Sequence, residues 1–206
     1  MSSGEPIERE EALSAAYGFI ETIEGHVARF EVAGSLRRGK ASVHDIEIVA
    51  VPRFEFSGGL FDFGLTADER QNGKNLLHSR MQELLAAGWI NQNRSRKDLK
   101  KNPFGEKYYR INFSNPDHFN GRPEYPIDLF VVIPPAQWGV ILVIRTGSAE
   151  FSHSLVQKGW PHGITVRNGH LEDRSGKIIP TQEERDVFDA LHVGWIEPEK
   201  REVEYR

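Results

Sequence analysis

Val32-Ala33-Gly34-Ser35-Leu36-Arg37-Arg38-Gly39-Lys40, followed after four residues by Asp45-Ile46-Glu47-Ile48-Val49-Ala50-Val51, joins a small basic turn to a strand bearing two carboxylates. Gly34 and Gly39 permit backbone angles and close approach that a side chain would block, so amide N–H groups between them can face an anion. Ser35 adds a hydroxyl, and Arg37, Arg38 and Lys40 add cationic donors. The apolar, β-branched run from Ile46 to Val51 predicts a strand buried on at least one face. Residues two apart on a strand project to one side, so Asp45 and Glu47 point together while Ile46 and Ile48 enter the core. Two carboxylates so placed repel each other unless a positive charge lies between them, and a divalent cation supplies it. Either half is common alone; the two together, in this order, are far more specific.

A third carboxylate stands in Tyr125-Pro126-Ile127-Asp128-Leu129-Phe130-Val131-Val132-Ile133-Pro134, where Asp128 is the one acidic residue of an apolar run. A buried lone aspartate is costly unless it is paired or ligates a cation. Downstream lie Arg145-Thr146-Gly147-Ser148-Ala149-Glu150-Phe151 and a closing stretch from Thr181-Gln182-Glu183-Glu184 through Phe188 and Leu191 to Glu202.

Gly-Ser, nine residues, then Asp-x-Glu resembles the nucleotidyltransferase signature, and Gly34-Ser35-Leu36-Arg37-Arg38-Gly39-Lys40 is similar to the family X DNA polymerases of the DNA polymerase beta type. Asp128, the Thr146-Gly147-Ser148 turn and the C-terminal stretch extend the resemblance over residues 7–202. It implies an α+β fold: a nucleotidyltransferase palm over residues 1–145, a mixed sheet with helices on one face, and a small C-terminal α/β subdomain over 146–206 that checks the base pair. It implies two Mg²⁺ ions, or Mn²⁺, held by Asp45, Glu47 and Asp128. A dNTP is expected on Gly34, Ser35, Arg38, Thr146, Gly147, Ser148, Ser152 and His153, with Arg37 and Lys40 as second choices, and a DNA primer–template or 3′ end as partner. About thirty residues precede Gly34, so the resemblance implies a reduced enzyme without the lyase and helix-hairpin-helix modules of larger relatives.

The chain departs from that pattern in places. Glu47 stands where family X more usually has Asp. Ile144-Arg145 replaces an aromatic pair that packs under the sugar, and Ser152, His153 and Val156 replace base- and template-facing residues. Low fidelity or ribonucleotide incorporation is therefore expected. Untemplated terminal transfer to DNA, RNA or another acceptor, and a catalytically silent nucleic-acid-binding module, are the alternatives.

Composition narrows the field further. The 206 residues, 38% hydrophobic and 27% charged, suit one domain or two small ones. No apolar run approaches the ~20 residues of a membrane span, and no basic-then-apolar leader opens the chain, so an intracellular setting, cytoplasmic or nucleoid, is expected. In scale it resembles virus-encoded or bacterial repair enzymes. The absence of cysteine excludes disulfides and thiolate metal sites, and the eight histidines show no close pair at zinc-ligand spacing. A net charge of −4 is a poor match to gripping nucleic acid by bulk charge, so contact must be local. Arg94, Arg96, Lys97, Lys100 and Lys101 form the candidate patch. No protein partner is legible, and a monomer is expected.

Periodicity predicts a helix from Arg9 to about Arg29, a first strand near Phe30–Ala33, and a loop from Arg53 to Gly64. A second helix is expected from about Ala67, capped by Thr66, to Ala87, ended by Gly88. Strands are expected at 89–93, 107–113 and 127–133, with a polar connection at 115–126. Helices are expected at 138–145, 151–158 and 183–191, with short strands among the last of these.

Overall fold

The computed structural model describes residues 5–55, 73–92, 104–114 and 124–202. In chain order its elements begin with β1 (Ile7–Glu8), α1 (Arg9–Ile23), β2 (Val27–Val32), α2 (Gly34–Arg37), β3 (Ser42–Val43) and β4 (Ile46–Pro52). There follow β5 (Phe54–Glu55), β6 (Lys74–Asn75), α3 (Leu76–Ala86), β7 (Ile90–Gln92), β8 (Phe104–Gly105), β9 (Tyr108–Phe113) and β10 (Tyr125–Val131). The C-terminal part comprises α4 (Trp138–Thr146), α5 (Ala149–Gln157), β11 (Thr165–Arg167), β12 (His170–Glu172), β13 (Ile178–Ile179) and α6 (Glu184–Ala190).

The central sheet runs β2-β4-β10-β9-β7, with β8 paired to β9. β4 and β10 are parallel and their neighbours antiparallel, so the fold is α+β around a mixed sheet. Strand alternation divides it into two faces. Ile46, Ile48 and Ala50 of β4, Ile127, Leu129 and Val131 of β10, and Tyr109, Ile111 and Phe113 of β9 build the main core. On that face α1 contributes Phe19, Ile20 and Ile23, and α3 contributes Leu77, Met81 and Leu84.

Helix α4 meets the opposite face. Trp138 and Leu142 pack with Ala33, Val49, Phe130 and Val132, while Val140 and Val143 join a second core with Phe151, Leu155, Leu171 and Phe188. The helix therefore belongs to both cores, and the boundary expected at residue 145 falls within its last turn. Its cover of the sheet is partial, and the part left open holds the carboxylates.

The described part of the second helix differs from expectation. Lys74–Asn75 pairs as a strand with Phe54–Glu55, and Asn75, whose Oδ1 accepts the His78 amide, caps the helix. Its C-terminal signal acts as read: Gly88 takes φ +77°, a conformation that terminates a helix without a Cβ penalty. Thr66, most of the 53–64 loop and the Arg94–Lys101 patch lie outside the described residues.

Candidate active site

Asp128 is directly paired with Glu47 across the parallel β4–β10 ladder. Neighbouring residues in register project to the same face of a sheet, so the two carboxylates emerge side by side, away from the main core. Asp45, one residue before β4, joins them, and all three line one cavity of about 710 Å³. Arg145, Tyr108 and Arg110 share its wall, and Asn168 and Gly169, the two-residue turn of the β11–β12 hairpin, reach it from the C-terminal part.

The electrostatics follow from partial burial among like charges. Burial, then Asp45 and Asp128, push the Glu47 carboxyl up to about 7, against the pull of Arg145 and Arg38. Burial and Asp128 raise Asp45 as well, with Arg110 and His44 opposing. Asp128 has found a partner. Arg110, opposite it on β9, donates Nε to Oδ1 at 2.9 Å and Nη2 to Oδ2 at 2.9 Å, and the Tyr108 hydroxyl donates to Oδ1 at 2.8 Å. These contacts use three of the roughly four lone-pair positions of the carboxylate. Among the described residues no three acidic or histidine side chains are gathered closely enough to hold one metal ion as they stand. The donor set nevertheless suits a hard divalent cation: three carboxylates, two of them destabilised in the charged form by burial and by neighbouring carboxylates, and no sulfur.

The basic turn adjoins this cavity. Gly34 adopts φ +61°, and the Glu47 carboxylate occupies the space that a Cβ would fill, so glycine is required there twice over. Ser35 and Arg38 line a second pocket of about 500 Å³ with Gly147, Ser148 and Ser152, and Asp45, Glu47 and Arg145 border both pockets. Arg145 stacks its guanidinium 3.8 Å over Phe130, and its buried Nε has no hydrogen-bond partner among the described residues.

The remaining candidates divide. Arg38 donates to the Thr146 carbonyl and to Glu202, both at 2.7 Å, and Lys40 pairs with Glu202 at 3.1 Å. Arg37 is not turned to the pocket; it forms a two-pronged pair with Glu184 and donates to the Thr146 hydroxyl. Thr146 is fully buried and does not line the Ser35–Arg38 pocket, although it was expected to hold the nucleotide with those residues. Ser148 caps α5, accepting from the Phe151 amide, and Ser152 donates to the Ile144 carbonyl. His153 lies on a different groove, beside Gln157.

Glu184 is the hub of the junction between the two parts. Besides Arg37 it accepts from Arg201, which is fully buried and lies over Phe188 and Trp195 at 5.2 and 4.8 Å. Arg29 adds an outer clamp, paired with Glu183 and resting on Trp138 at 4.1 Å. The C-terminal part so clamped, residues 141–202, matches the DNA polymerase beta thumb. Over these residues the chain is similar to DNA polymerase beta.

Sequence reasoning missed Tyr108, Arg110 and Asn168, and met Arg145 only as a departure from the aromatic pair. β9 reads Tyr108-Tyr109-Arg110-Ile111-Asn112-Phe113, and its alternation does signal a polar face. Only the antiparallel register with β10 shows that this face meets Asp128.

Proposed function

We propose that the chain is a divalent-cation-dependent nucleotidyltransferase that adds a nucleoside monophosphate from a dNTP to a DNA 3′-hydroxyl, releasing pyrophosphate, in repair or gap filling. The observation that carries this is the Glu47–Asp128 register, which gathers three carboxylates beside the Ser35–Arg38 turn. The match of residues 141–202 to the DNA polymerase beta thumb supports DNA as acceptor. A pair of bound Mg²⁺ ions would neutralise developing charge and lower the pKa of the attacking hydroxyl.

The chain's own residues do the rest. Asp45, Glu47 and Asp128 would hold the cations, Glu47 giving up its proton to do so. Arg110 and Tyr108 fix the Asp128 carboxylate and leave one lone-pair position, on Oδ2, free to ligate. Ser35 and the positive field of Arg38 take the triphosphate, favouring the departing pyrophosphate. The 3′-oxygen bonds to the α-phosphorus, the bond to the bridging oxygen breaks, and the hydroxyl proton leaves to solvent.

Incorporation of labelled dNTP on gapped, primed and single-stranded DNA, with Asp45→Asn as control, tests the reading. Extension of gapped or primed DNA by the wild type alone supports it. Extension confined to single strands selects untemplated transfer, and none with either Mg²⁺ or Mn²⁺ refutes the enzyme.

A further inference from the structure

We infer that Trp160 and the groove beside it form a stacking platform for single-stranded template, continuous with the nucleotide pocket along helix α5. The inference rests on the nucleic-acid reading above and extends it to a surface that reading does not use. Trp160 is 59% exposed, the most exposed of the large hydrophobic residues described. It borders a groove of about 600 Å³ whose other walls include His153, Ser154, Gln157 and Lys158.

Position along α5 supplies the continuity. Ser148, Ala149 and Ser152 line the nucleotide pocket, while Glu150, His153, Ser154 and Gln157 line the groove, so one helix carries both on adjoining faces. A successive residue turns about 100° around a helix, so Ser152 and His153 stand on either side of the divide. A strand leaving the nucleotide pocket along α5 reaches His153, then Gln157, then the indole.

The chemistry fits unpaired bases better than duplex. An exposed indole offers a flat face to any base, imidazole and carboxamide groups offer hydrogen bonds to base edges, and Lys158 adds a cation to the same lining. An imidazole pair, His162 and His192, lies just beyond Pro161 with ring centroids 4.6 Å apart. Glu150, in the first turn of α5, is the one acidic residue of the lining. With a chain net charge of −4, stacking rather than bulk charge must supply the affinity.

The test is anisotropy titration of fluorescein-labelled oligo(dT) and of a blunt duplex of equal length, with wild type, Trp160→Ala and Trp160→Phe. Stacking by a single aromatic predicts that Trp160→Ala weakens oligo(dT) binding about 5- to 150-fold, that Trp160→Phe restores most of it, and that duplex binding changes little. Unchanged oligo(dT) affinity in Trp160→Ala, or no oligo(dT) binding by the wild type, overturns the platform. Equal loss with duplex overturns the single-strand assignment. Binding of a fluorescent dATP analogue with Mg²⁺ by the wild type separates the two claims. Nucleotide binding with an ineffective Trp160→Ala sinks only the platform, whereas no nucleotide binding sinks the nucleotidyltransferase reading.

Discussion

Glu184→Gln is the sharpest probe of how the basic turn is held against the C-terminal part. Glu184 is 7% exposed and lies between the Arg37 guanidinium, 19% exposed, and the Arg201 guanidinium, 0% exposed. Glutamine keeps the shape but removes the charge and turns an amide toward two cations, leaving them buried beside each other. Loss of one partner from a buried ion pair costs about 3–5 kcal/mol. For a chain of this length that is a fall in Tm of roughly 6–20 °C. The pH dependence identifies the cause. Burial pushes the Glu184 carboxyl up, but Arg37 and Arg201 outweigh it and hold the carboxyl below the usual carboxylate range. A depressed acid contributes stability that is complete above its unfolded pKa of about 4.3 and lost as pH falls through its folded value. Urea unfolding of wild type and Glu184→Gln at pH 7 and at pH 3.5 is the assay. The gap should be full at pH 7 and narrower at pH 3.5. A gap under about 1 kcal/mol at pH 7, or one that does not narrow in acid, refutes the buried-hub reasoning.

Other substitutions follow from the same geometry. Glu47→Gln should stabilise the cation-free protein at pH 8 by at most about 3 kcal/mol, because an acid raised to about 7 opposes folding as pH rises from its unfolded value; calorimetry should find the gain gone below pH 4.5. Gly34→Ala combines a strained φ with a clash against Glu47, so soluble yield should fall and stability should drop by about 1–3 kcal/mol from the backbone alone, read as a lower Tm. Tyr108→Phe removes one hydrogen bond from Asp128 and should weaken Mn²⁺ binding, measured by electron paramagnetic resonance, by roughly 10–100-fold; unchanged affinity would show that Tyr108 does not position the ligand.

Local patterns carried the fold a long way. The β-branched run of β4 and the Gly88 stop are each written within a few residues and form as read, whereas the helix expected to reach Arg29 ends at Ile23, because Val27–Val32 pairs with β4 as a strand. Asp128 stood out because a single charge in an apolar strand must be compensated. What compensates it was not legible: Arg110 is reached through strand register, which a sequence states only weakly. Arg37 likewise looked like a phosphate ligand because it neighbours Arg38, but adjacent residues on a short helix face different ways, and its partner lies 147 positions along the chain. His153 was misplaced for the same reason, one helical step from Ser152. Thr146 closes helix α4 instead of opening a turn, and its buried hydroxyl accepts from Arg37, a contact that depends on the packing of the two parts.

The central claim is that the carboxylates of Asp45, Glu47 and Asp128 form one reacting centre. Single-nucleotide incorporation on gapped DNA with Mg²⁺, compared between wild type and Asp128→Asn, tests it most directly. Incorporation by the wild type and a loss of more than about 100-fold in the variant are expected, beyond what removing a ligand's supporting partner costs. Incorporation by Asp128→Asn at the wild-type rate would contradict it.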